Sequence, residues 1–396
     1  MKLDEVDIDF IKSNGIETPS FFLDLQVITY NIENLSKIVS EYFSDFEIAY
    51  SIKTNGLKPV VITTKISGCG CSVSSYYELN KSLQLKYAPN KLYYSGHNKR
   101  LESIGKESLK GLNLIIESID EVNFICSNPS LFSKSFILLR LAHRIKKGYS
   151  RFGLDPLEAI VAQEQLCNAG CAIHGFHIHA GSNLADSSNT ISTICENITL
   201  IRTIIMNTPD KLIVNIGGGM KAKKGISDTS HWSAYLRSIR AALDQLEFPI
   251  NKTKMVIEPG RALVEDAMLI LGRILTVKQR EQTVLISDAG TNILRSNPID
   301  AEKIKFFSPN KKNQIYNYQL TGQMCYESDY LTQEFQSSTK VTSGDYFAIK
   351  NVGAYNTSTT FPWIMGSVPV YLVNQPKASI DKFTLELSES ELITNE

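Results

Sequence analysis

The segment FEIAYSIKTN, residues 46–55, sets the fold that the sequence predicts. Ile48, Ala49, Tyr50 and Ile52 are its apolar body, as expected for a short β-strand. The run ends at Lys53, and this segment alone favours an ordinary solvent-exposed strand end. Other parts of the chain indicate a functional role for this lysine instead.

Short β-type runs recur after helix-like segments, which is the order typical of a parallel sheet built from βαβ units. The eight candidate strands are Glu47–Ile52, Cys71–Val73, Lys91–Tyr94, Leu112–Ile116, Phe136–Leu141, Ile173–His179, Lys211–Ile216 and Lys254–Ile257. Eight such strands predict an α/β fold, a (β/α)8 barrel. Apolar residues at helical spacing in residues 189–206 and 231–246 predict helices of its outer ring.

A second, mainly antiparallel β domain is predicted after about Asp266. Short alternating runs such as TVLISD (283–288), IYNYQLTG (315–322) and GDYFAIKN (344–351) indicate it. TPSFFLDL (18–25) is a further strand that we expect to pair with this domain. The predicted domains are therefore a barrel over residues 26–265 and a β-rich domain formed by residues 1–25 and 266–396.

Composition and charge narrow the classes of function. Lys plus Arg and Asp plus Glu are 41 each, and this balance argues against nucleic acid and anionic membranes as partners. The first twenty residues carry acidic charges, and no window approaches ~18 uncharged apolar residues, so we expect a soluble, cytoplasmic protein. The seven cysteines include Cys69 and Cys71, which are too close together for a zinc site. Neither a metal nor structural disulfides are predicted.

Active sites of (β/α)8 barrels lie at the carboxyl ends of the strands. Polar or glycine-rich segments follow these ends here: Lys53, then SGHNKR (95–100), HIHAGSN (177–183), GGGM (217–220) and EPGRAL (258–263). Consecutive glycines in NIGGG (215–219) form either a flexible turn or a loop whose N–H groups approach an anion. Because the loops after strands seven and eight are the usual phosphate site of this fold, NIGGG and EPGR together predict one phosphate.

His177 and His179 lie two residues apart and therefore on one face of their strand. A metal site here would lack a third ligand, and a histidine buried in the core is the common alternative. We expect His179 to lie flat against an aromatic ring. Together with the amine of Lys53, the phosphate site and the carboxylate of Glu258, it completes the set of groups that holds pyridoxal 5'-phosphate.

Nine segments resemble, in the same order, those of the fold-type III pyridoxal-phosphate decarboxylases, which include diaminopimelate, ornithine, arginine and carboxynorspermidine decarboxylases. The resemblance runs from about Thr18 to about Gly366 and implies their alanine racemase-like architecture. The segments are YSIKTN, GCGCSVSSYYEL, YSRFGLD, HIHAGSN, NIGGG, EPGRALV, SDAGTNILR, TGQMCYESD and GAYNTSTTF.

The resemblance implies a role for individual residues. Lys53 would form the Schiff base, His179 would stack on the cofactor ring, and Glu258 would pair with the pyridine nitrogen and make a quinonoid state accessible. Cys325 would return a proton to the substrate carbon from the neighbouring subunit of a homodimer with shared active sites. Further cofactor contacts would come from Ser182, Gly218, Gly219, Gly260, Arg261 and Tyr355, and substrate contacts from Arg295, Tyr326 and Asp329.

The sequence departs from the family pattern at several positions. Tyr326 stands where the residue is usually acidic and holds a distal ammonium, and Arg295 lies one residue from its usual spacing. Ser72 and Asn215 replace aspartates. We therefore expect the α-carboxylate to be removed from a larger or conjugated amino acid, such as an aminocarboxypropyl group on a natural-product or polyamine precursor.

Other functions remain open on the sequence. The first alternatives are a diaminopimelate or diamino-acid decarboxylase proper and an amino-acid racemase on the same fold. A racemase typically places an arginine, in contrast to Glu258, at the pyridine nitrogen. A non-catalytic barrel that holds the cofactor would have no use for Cys325 and Tyr355, and a degenerate partner would not need to keep Lys53, Glu258 and Cys325 together.

Overall fold

A computed structural model of the chain describes residues 6–208, 211–222, 228–295, 299–308, 311–374 and 379–383. The chain divides into two units. The barrel unit comprises Thr29–Thr54 and Lys58–Leu263, and the sheet unit comprises Met1–Ile28, Asn55–Leu57 and Val264–Glu396. Each unit is therefore assembled from separate stretches of sequence.

The strands of the described residues are numbered in chain order. They are β1 (Ser20–Leu23), β2 (Phe46–Ser51), β3 (Gly70–Val73), β4 (Leu92–Tyr94), β5 (Asn113–Ile116), β6 (Phe136–Leu141), β7 (Arg144–Ile145), β8 (Gly148–Tyr149), β9 (Ile173–Ile178), β10 (Leu212–Asn215), β11 (Thr253–Ile257), β12 (Met268–Lys278), β13 (Thr283–Ser287), β14 (Ile304–Phe307), β15 (Lys311–Thr321), β16 (Tyr330–Thr339), β17 (Tyr346–Lys350), β18 (Val370–Asn374) and β19 (Ser379–Phe383).

The α-helices of the described residues are numbered in the same way. They are α1 (Ile8–Ser13), α2 (Leu25–Ser40), α3 (Lys58–Ile66), α4 (Tyr76–Gln84), α5 (Lys106–Leu109), α6 (Ile119–Ser127), α7 (Pro129–Phe132), α8 (Pro156–Asn168), α9 (Ser188–Glu196), α10 (Ile198–Asn207), α11 (Ser230–Gln245) and α12 (Arg261–Val264). None of these helices is long and apolar enough to cross a bilayer.

The barrel unit contains a closed parallel barrel, as the sequence predicts. Its strands follow the order β10-β11-β2-β3-β4-β5-β6-β9. All eight predicted strands are present, with bounds that agree within one residue at every end. Strand β2 stops at Ser51 because Ile52–Thr54 form a single 3-10 turn that carries Lys53 out of the barrel wall.

The barrel interior is layered. One apolar layer is contributed by six strands and consists of Ala49, Tyr93, Ile115, Leu138, Ile213 and Val256. Towards the amino end of β2, Glu47 accepts hydrogen bonds from Lys91 Nζ at 2.8 Å and from Lys254 Nζ at 2.9 Å. Since side chains alternate along a strand, the residues two positions beyond the apolar layer also face inward, at the carboxyl ends of the strands.

One predicted helix is divided in two. The segment from residue 189 to residue 206 forms α9 and α10, and Asn197 lies between them. Its side-chain amide donates to the carbonyl oxygen of Thr193 at 2.9 Å and so closes the end of α9. Periodicity does not reveal this break, because apolar residues keep helical spacing on both sides of Asn197.

The sheet unit is mainly antiparallel, as predicted. Its main path is β16-β15-β13-β12-β1-β18-β19, and β17 pairs with β12 and β14. Strand β1 pairs antiparallel with β12 and parallel with β18, so the prediction that TPSFFLDL joins this sheet is confirmed. One face packs a core that includes Phe22, Leu269, Leu271, Ala348 and Tyr371.

A pair of leucine variants tests the layered barrel core. Leu138 lies in the apolar layer and is fully buried, whereas Leu157 on α8 is 76% exposed. Leu138→Ala should lower the free energy of unfolding by about 2–5 kcal/mol, because the cavity cannot close completely. Leu157→Ala should change it by less than about 0.5 kcal/mol. Urea titration followed by circular dichroism measures both values, and equal effects would contradict the layered packing.

Candidate active site

A polar layer closes the barrel at the carboxyl ends of its strands. Arg140, His177 and Asn215 lie side by side on β6, β9 and β10, because Arg140 pairs with His177 and His177 with Asn215. Glu258 follows directly after β11, where its backbone N–H donates to the carbonyl oxygen of Gly217 at 2.7 Å. All four side chains are buried. Arg140 and Asn215 donate to the carboxylates of Glu117 and Glu258, as buried polar groups usually do.

Asn215 orients Glu258. Its Nδ2 donates to Glu258 Oε1 at 2.7 Å, and its Oδ1 accepts from the Gly217 backbone N–H at 2.8 Å. One side chain therefore fixes the carboxylate and the start of the glycine loop. An aspartate here would place a second negative charge against Glu258, so asparagine suits the neighbouring carboxylate.

Glu258 is a buried carboxylate that keeps its charge. Burial alone would raise its pKa, but His177 and the hydrogen bond from Asn215 outweigh burial and lower the pKa to about 2. Burial lowers the pKa of His177 itself, so the charge of this pair at neutral pH is the anion of Glu258. The two side chains are 3.6 Å apart, from His177 Nε2 to Glu258 Oε2. Neither ring nitrogen of His177 has a hydrogen-bond partner within the described part of the chain.

His179 presents a neutral ring. It is half-buried after β9, and its Nδ1 accepts a hydrogen bond from the Gly218 N–H at 3.3 Å. Burial lowers its pKa to about 3, and the charge of Lys53 adds to this effect. A neutral imidazole held by its edge leaves its flat face available for stacking.

Lys53 is exposed on the 3-10 turn that follows the buried strand β2. The residues on either side, Ile52 and Thr54, are buried, whereas Lys53 itself is exposed. The charge of Lys53 also acts on Glu78, whose pKa is raised by burial and partly restored by a hydrogen bond from the Ser74 N–H and by Lys53. The positive charge of Lys53 therefore acts on both His179 and Glu78.

The glycine loop leaves no room for side chains. A Cβ on Gly218 would lie 2.2 Å from the carbonyl oxygen of Glu258, and a Cβ on Gly219 would lie 2.3 Å from that of Gly181. Gly219 and Gly217 also have positive φ angles, of 94° and 65°. This loop can therefore offer only backbone groups to a ligand, and backbone N–H groups are what an anion site requires.

The loops predicted to bind phosphate converge. Leu184 N–H donates to the carbonyl oxygen of Gly219 at 2.9 Å, which ties the loop that carries the exposed Ser182 to the glycine loop. On the other side, a Cβ on Gly260 would lie 2.0 Å from Thr54 Oγ1, next to Lys53. Arg261 follows at the start of α12 and is half-buried. A neutral flat ring, a buried anion, an amine and a glycine cradle together fit a flat phosphate-bearing pyridine with an aldehyde.

Sequence reasoning missed a second buried charge cluster at the same end of the barrel. Glu117 after β5 accepts hydrogen bonds from Arg140 Nη1 at 2.9 Å and from the Gly96 N–H at 2.6 Å. Lys99 Nζ donates to Glu121 at 2.6 Å and to the carbonyl oxygen of Gly96 at 2.7 Å. The signals in the sequence were Glu117 directly after the apolar strand β5 and Arg140 within the apolar strand β6. Their network could not be read from sequence because the partners are remote along the chain.

In the sheet unit, Cys325 lies on an exposed loop that Asp329 organises. Asp329 is 3% exposed and accepts hydrogen bonds from Thr291 N–H at 2.7 Å, Thr291 Oγ1 at 2.8 Å and Met324 N–H at 2.8 Å. Its carboxylate thus holds the loop within its own unit, and the contact of Asp329 with substrate stays a prediction. The hydroxyl of Tyr326 is hydrogen-bonded to Thr291 Oγ1.

Arg295 and Tyr355 lie on neighbouring segments of the sheet unit. The exposed Arg295 donates its backbone N–H to Asn356 Oδ1 at 3.0 Å, and its guanidinium lies 5.5 Å from the ring centre of Phe361. Tyr355 is half-buried and adopts a positive φ of 63°. Their contacts with substrate and cofactor stay predictions, as does the role of Cys325.

Comparison with known proteins identifies the family. A family model described as "Pyridoxal-dependent decarboxylase, pyridoxal binding domain" matches residues 29–265, more than half of the chain. Diaminopimelate decarboxylase of Methanocaldococcus jannaschii is 26% identical over 363 residues, which cover 84% of this chain and 80% of that protein.

Two solved structures share the fold. Diaminopimelate decarboxylase of Helicobacter pylori complexed with L-lysine superposes with a TM-score of 0.81 at 20% identity, and 94% and 95% of the two chains are covered. Lysine/ornithine decarboxylase of Vibrio vulnificus complexed with cadaverine gives 0.78 at 18% identity, with 94% and 97% covered. Because the family model matches more than half of the chain, the chain belongs to the pyridoxal-dependent decarboxylases.

Proposed function

We propose that this pyridoxal-phosphate-dependent decarboxylase removes the α-carboxylate of a larger or conjugated amino acid rather than that of free ornithine. The observation that carries the proposal is Tyr326, which follows Cys325 where family members usually have an acidic residue. Its hydroxyl is engaged by Thr291, so the loop offers a neutral ring at this position. An aminocarboxypropyl group on a natural-product or polyamine precursor fits this description.

Different residues of the barrel hold different parts of the cofactor. Pyridoxal phosphate, when bound, supplies an electron-accepting ring and an aldehyde that joins to an amine. Lys53 Nζ is the amine that holds the aldehyde, and His179 supports the ring face. Glu258 accepts the N–H of the pyridine nitrogen and keeps that proton in place, because the carboxylate remains ionised. The glycine loop, with Ser182, Gly260, Arg261 and Tyr355, takes the phosphate.

Cys325 is the proposed proton donor. Its thiol is exposed on a loop whose shape is fixed by the hydrogen bonds of Asp329. After CO2 leaves, Cys325 Sγ gives its proton to the substrate carbon. We propose that this thiol serves the site of the neighbouring subunit in a homodimer, and that Arg295 holds a substrate carboxylate.

Two alternatives differ in their support. Diaminopimelate decarboxylation is favoured by relatives of that name, although their sequence identity to this chain is 26% or less among the proteins compared. Racemisation is opposed by Glu258, because an ionised carboxylate at the pyridine nitrogen promotes electron withdrawal and with it the side reactions that racemases avoid. One experiment distinguishes these functions. A panel of amino acids that includes diaminopimelate, ornithine and conjugated substrates is assayed for CO2 loss by mass spectrometry. Racemisation without CO2 loss would refute decarboxylation, and preferential use of ornithine would refute the proposed substrate class.

Lys53→Ala tests the cofactor site. The variant should lose the visible absorbance band of the lysine-bound cofactor and essentially all decarboxylation, because no other amine replaces Nζ. Lys58→Ala, an equally exposed lysine at the start of α3, should keep both. A visible band that persists in Lys53→Ala would contradict the assignment.

Glu258→Gln tests the buried anion. The amide should lower kcat by about 10²–10³-fold, since it cannot stabilise the charge of the protonated ring. The visible band should remain, and Glu164→Gln on the exposed face of α8 should retain full activity. Absorbance and steady-state rates measure both effects.

The lowered pKa of Glu258 also predicts how kcat depends on pH. The carboxylate, and the stabilisation that its charged form provides, are complete above its ordinary pKa and are lost only as the pH falls through about 2. Titration of Glu258 should therefore cause no change of kcat between roughly pH 5 and 8. An acidic limb in that range that disappears in Glu258→Gln would show that the carboxylate titrates there.

Cys325→Ala tests the proton donor and the shared site. The variant should keep the visible band and lose about 10²–10³-fold in kcat, whereas Cys195→Ala, another exposed cysteine, should be unaffected. If the sites are shared in a dimer, mixing Cys325→Ala with Lys53→Ala should restore roughly a quarter of the wild-type activity, because half of the dimers then carry one intact site. No restoration after subunit exchange would place Cys325 in the site of its own subunit.

A further inference from the structure

We propose that Tyr326 and Trp363 form an aromatic recognition surface for the distal end of the substrate. This surface selects an amino acid whose side chain ends in an uncharged apolar or aromatic group over one that ends in an ammonium. The inference rests on the proposed function, because Tyr326 is placed at the substrate by its sequence neighbour Cys325, the proposed proton donor.

The two rings of the recognition surface are in contact. Their centroids are 5.6 Å apart and their planes are inclined by 41°. Trp363 is 53% exposed, and the residues that follow it, Ile364 and Met365, are 55% and 40% exposed. Large apolar side chains grouped at a surface in this way mark a binding site more often than isolated ones do.

Tyr326 is fixed in orientation. Its hydroxyl is hydrogen-bonded to Thr291 Oγ1, and the same hydroxyl of Thr291 donates to Asp329 Oδ1 at 2.8 Å. Asp329 is buried and also accepts the Met324 N–H, so the chain of hydrogen bonds ends in the backbone of the loop itself. With its polar group engaged, Tyr326 presents its ring to a ligand, and a rigid ring loses little entropy on binding.

Charges around the surface disfavour a distal ammonium. Asp329 has both carboxylate oxygens occupied by donors of its own unit. The exposed Glu327 lines a cavity of about 840 Å³ with Asp300 and Glu334, and neither Tyr326 nor Trp363 lines that cavity. On the Trp363 segment, Arg295 is held 5.5 Å from the Phe361 ring and donates to the carbonyl oxygen of Thr359.

The consequence is a difference in binding between two kinds of substrate. A distal ammonium would exchange its hydration for a cation–π contact with exposed rings, worth about 0.5–1 kcal/mol, and would find no unoccupied carboxylate on the recognition surface itself. An apolar or aromatic end gains contact area on the same rings. We therefore infer that the substrate is an amino acid with a neutral, apolar or planar distal group, which within the proposed class favours a natural-product conjugate over a polyamine precursor.

Trp363 allows binding to be measured directly. The chain has two tryptophans, and the other, Trp232, is fully buried in the barrel unit. The holoenzyme is titrated with L-lysine and with L-2-aminoheptanoate, in which a methyl group replaces the terminal ammonium, while tryptophan emission is followed. Trp363→Phe should lose the emission change, with isothermal titration as the second measure of binding.

The wild-type holoenzyme should bind L-2-aminoheptanoate about tenfold or more tightly than L-lysine. Tyr326→Glu should reverse this preference because it supplies the missing carboxylate, and Thr291→Val should reduce it because the Tyr326 hydroxyl loses its partner. Ser328→Ala, an exposed position in the same loop, should keep the wild-type preference.

Three results would overturn the proposal. These are equal or tighter binding of L-lysine by the wild type, an unchanged ratio in Tyr326→Glu, and no binding of either amino acid. The proposal would also be overturned if the tryptophan emission changed with protein concentration but not with ligand concentration. Trp363 would then lie in a contact between copies of the chain. Failure of the proposed function looks different: the holoenzyme would bind amino acids with the predicted preference and release CO2 from none of the panel.

Discussion

The site depends on a negative charge kept inside a protein barrel. Glu258 is buried, and a buried carboxylate costs several kcal/mol unless its oxygens have partners. Asn215 supplies one hydrogen bond, and His177 lies 3.6 Å from the other oxygen. The carboxylate also leaves part of its hydrogen-bonding capacity unused, as does the His177 ring. This arrangement leaves the anion able to accept a further hydrogen bond.

The barrel and its site were largely predictable from sequence because they depend on local patterns. Each strand is a short apolar run, and each of the predicted barrel-site segments follows such a run, so counting strands also located Lys53, His179 and Glu258 at one end. The register that aligns His177 with Asn215 was not predicted and is seen in the strand pairing. The roles of Asn215 as a partner of Glu258 and of Arg140 as a partner of Glu117 did not follow, since hydrogen bonds between remote residues leave no pattern in sequence.

The loop of Cys325 shows the limit of the resemblance. It implies substrate contact for Asp329 but gives no sign that the same carboxylate holds the loop through hydrogen bonds from Thr291 and Met324. The sequence does not show whether an aspartate is buried or exposed. The hydrogen-bond donors around its carboxylate, which the structure shows, make that distinction. The divided helix at Asn197 is a similar case, because its cause is one side-chain amide that caps the preceding turn.

Residues Asn55–Leu57 belong to the sheet unit although they follow the lysine turn of the barrel unit directly. Asn55 is fully buried and donates to the carbonyl oxygen of Gly353 at 2.9 Å and to Met268 Sδ at 3.2 Å. A barrel fragment cut after residue 263 would lose both acceptors, so the residue two positions from Lys53 would no longer be held by these hydrogen bonds, each of which typically contributes about 0.5–1.5 kcal/mol. Chimeras that exchange the barrel between relatives therefore need to carry the segments around Met268 and Gly353 with it.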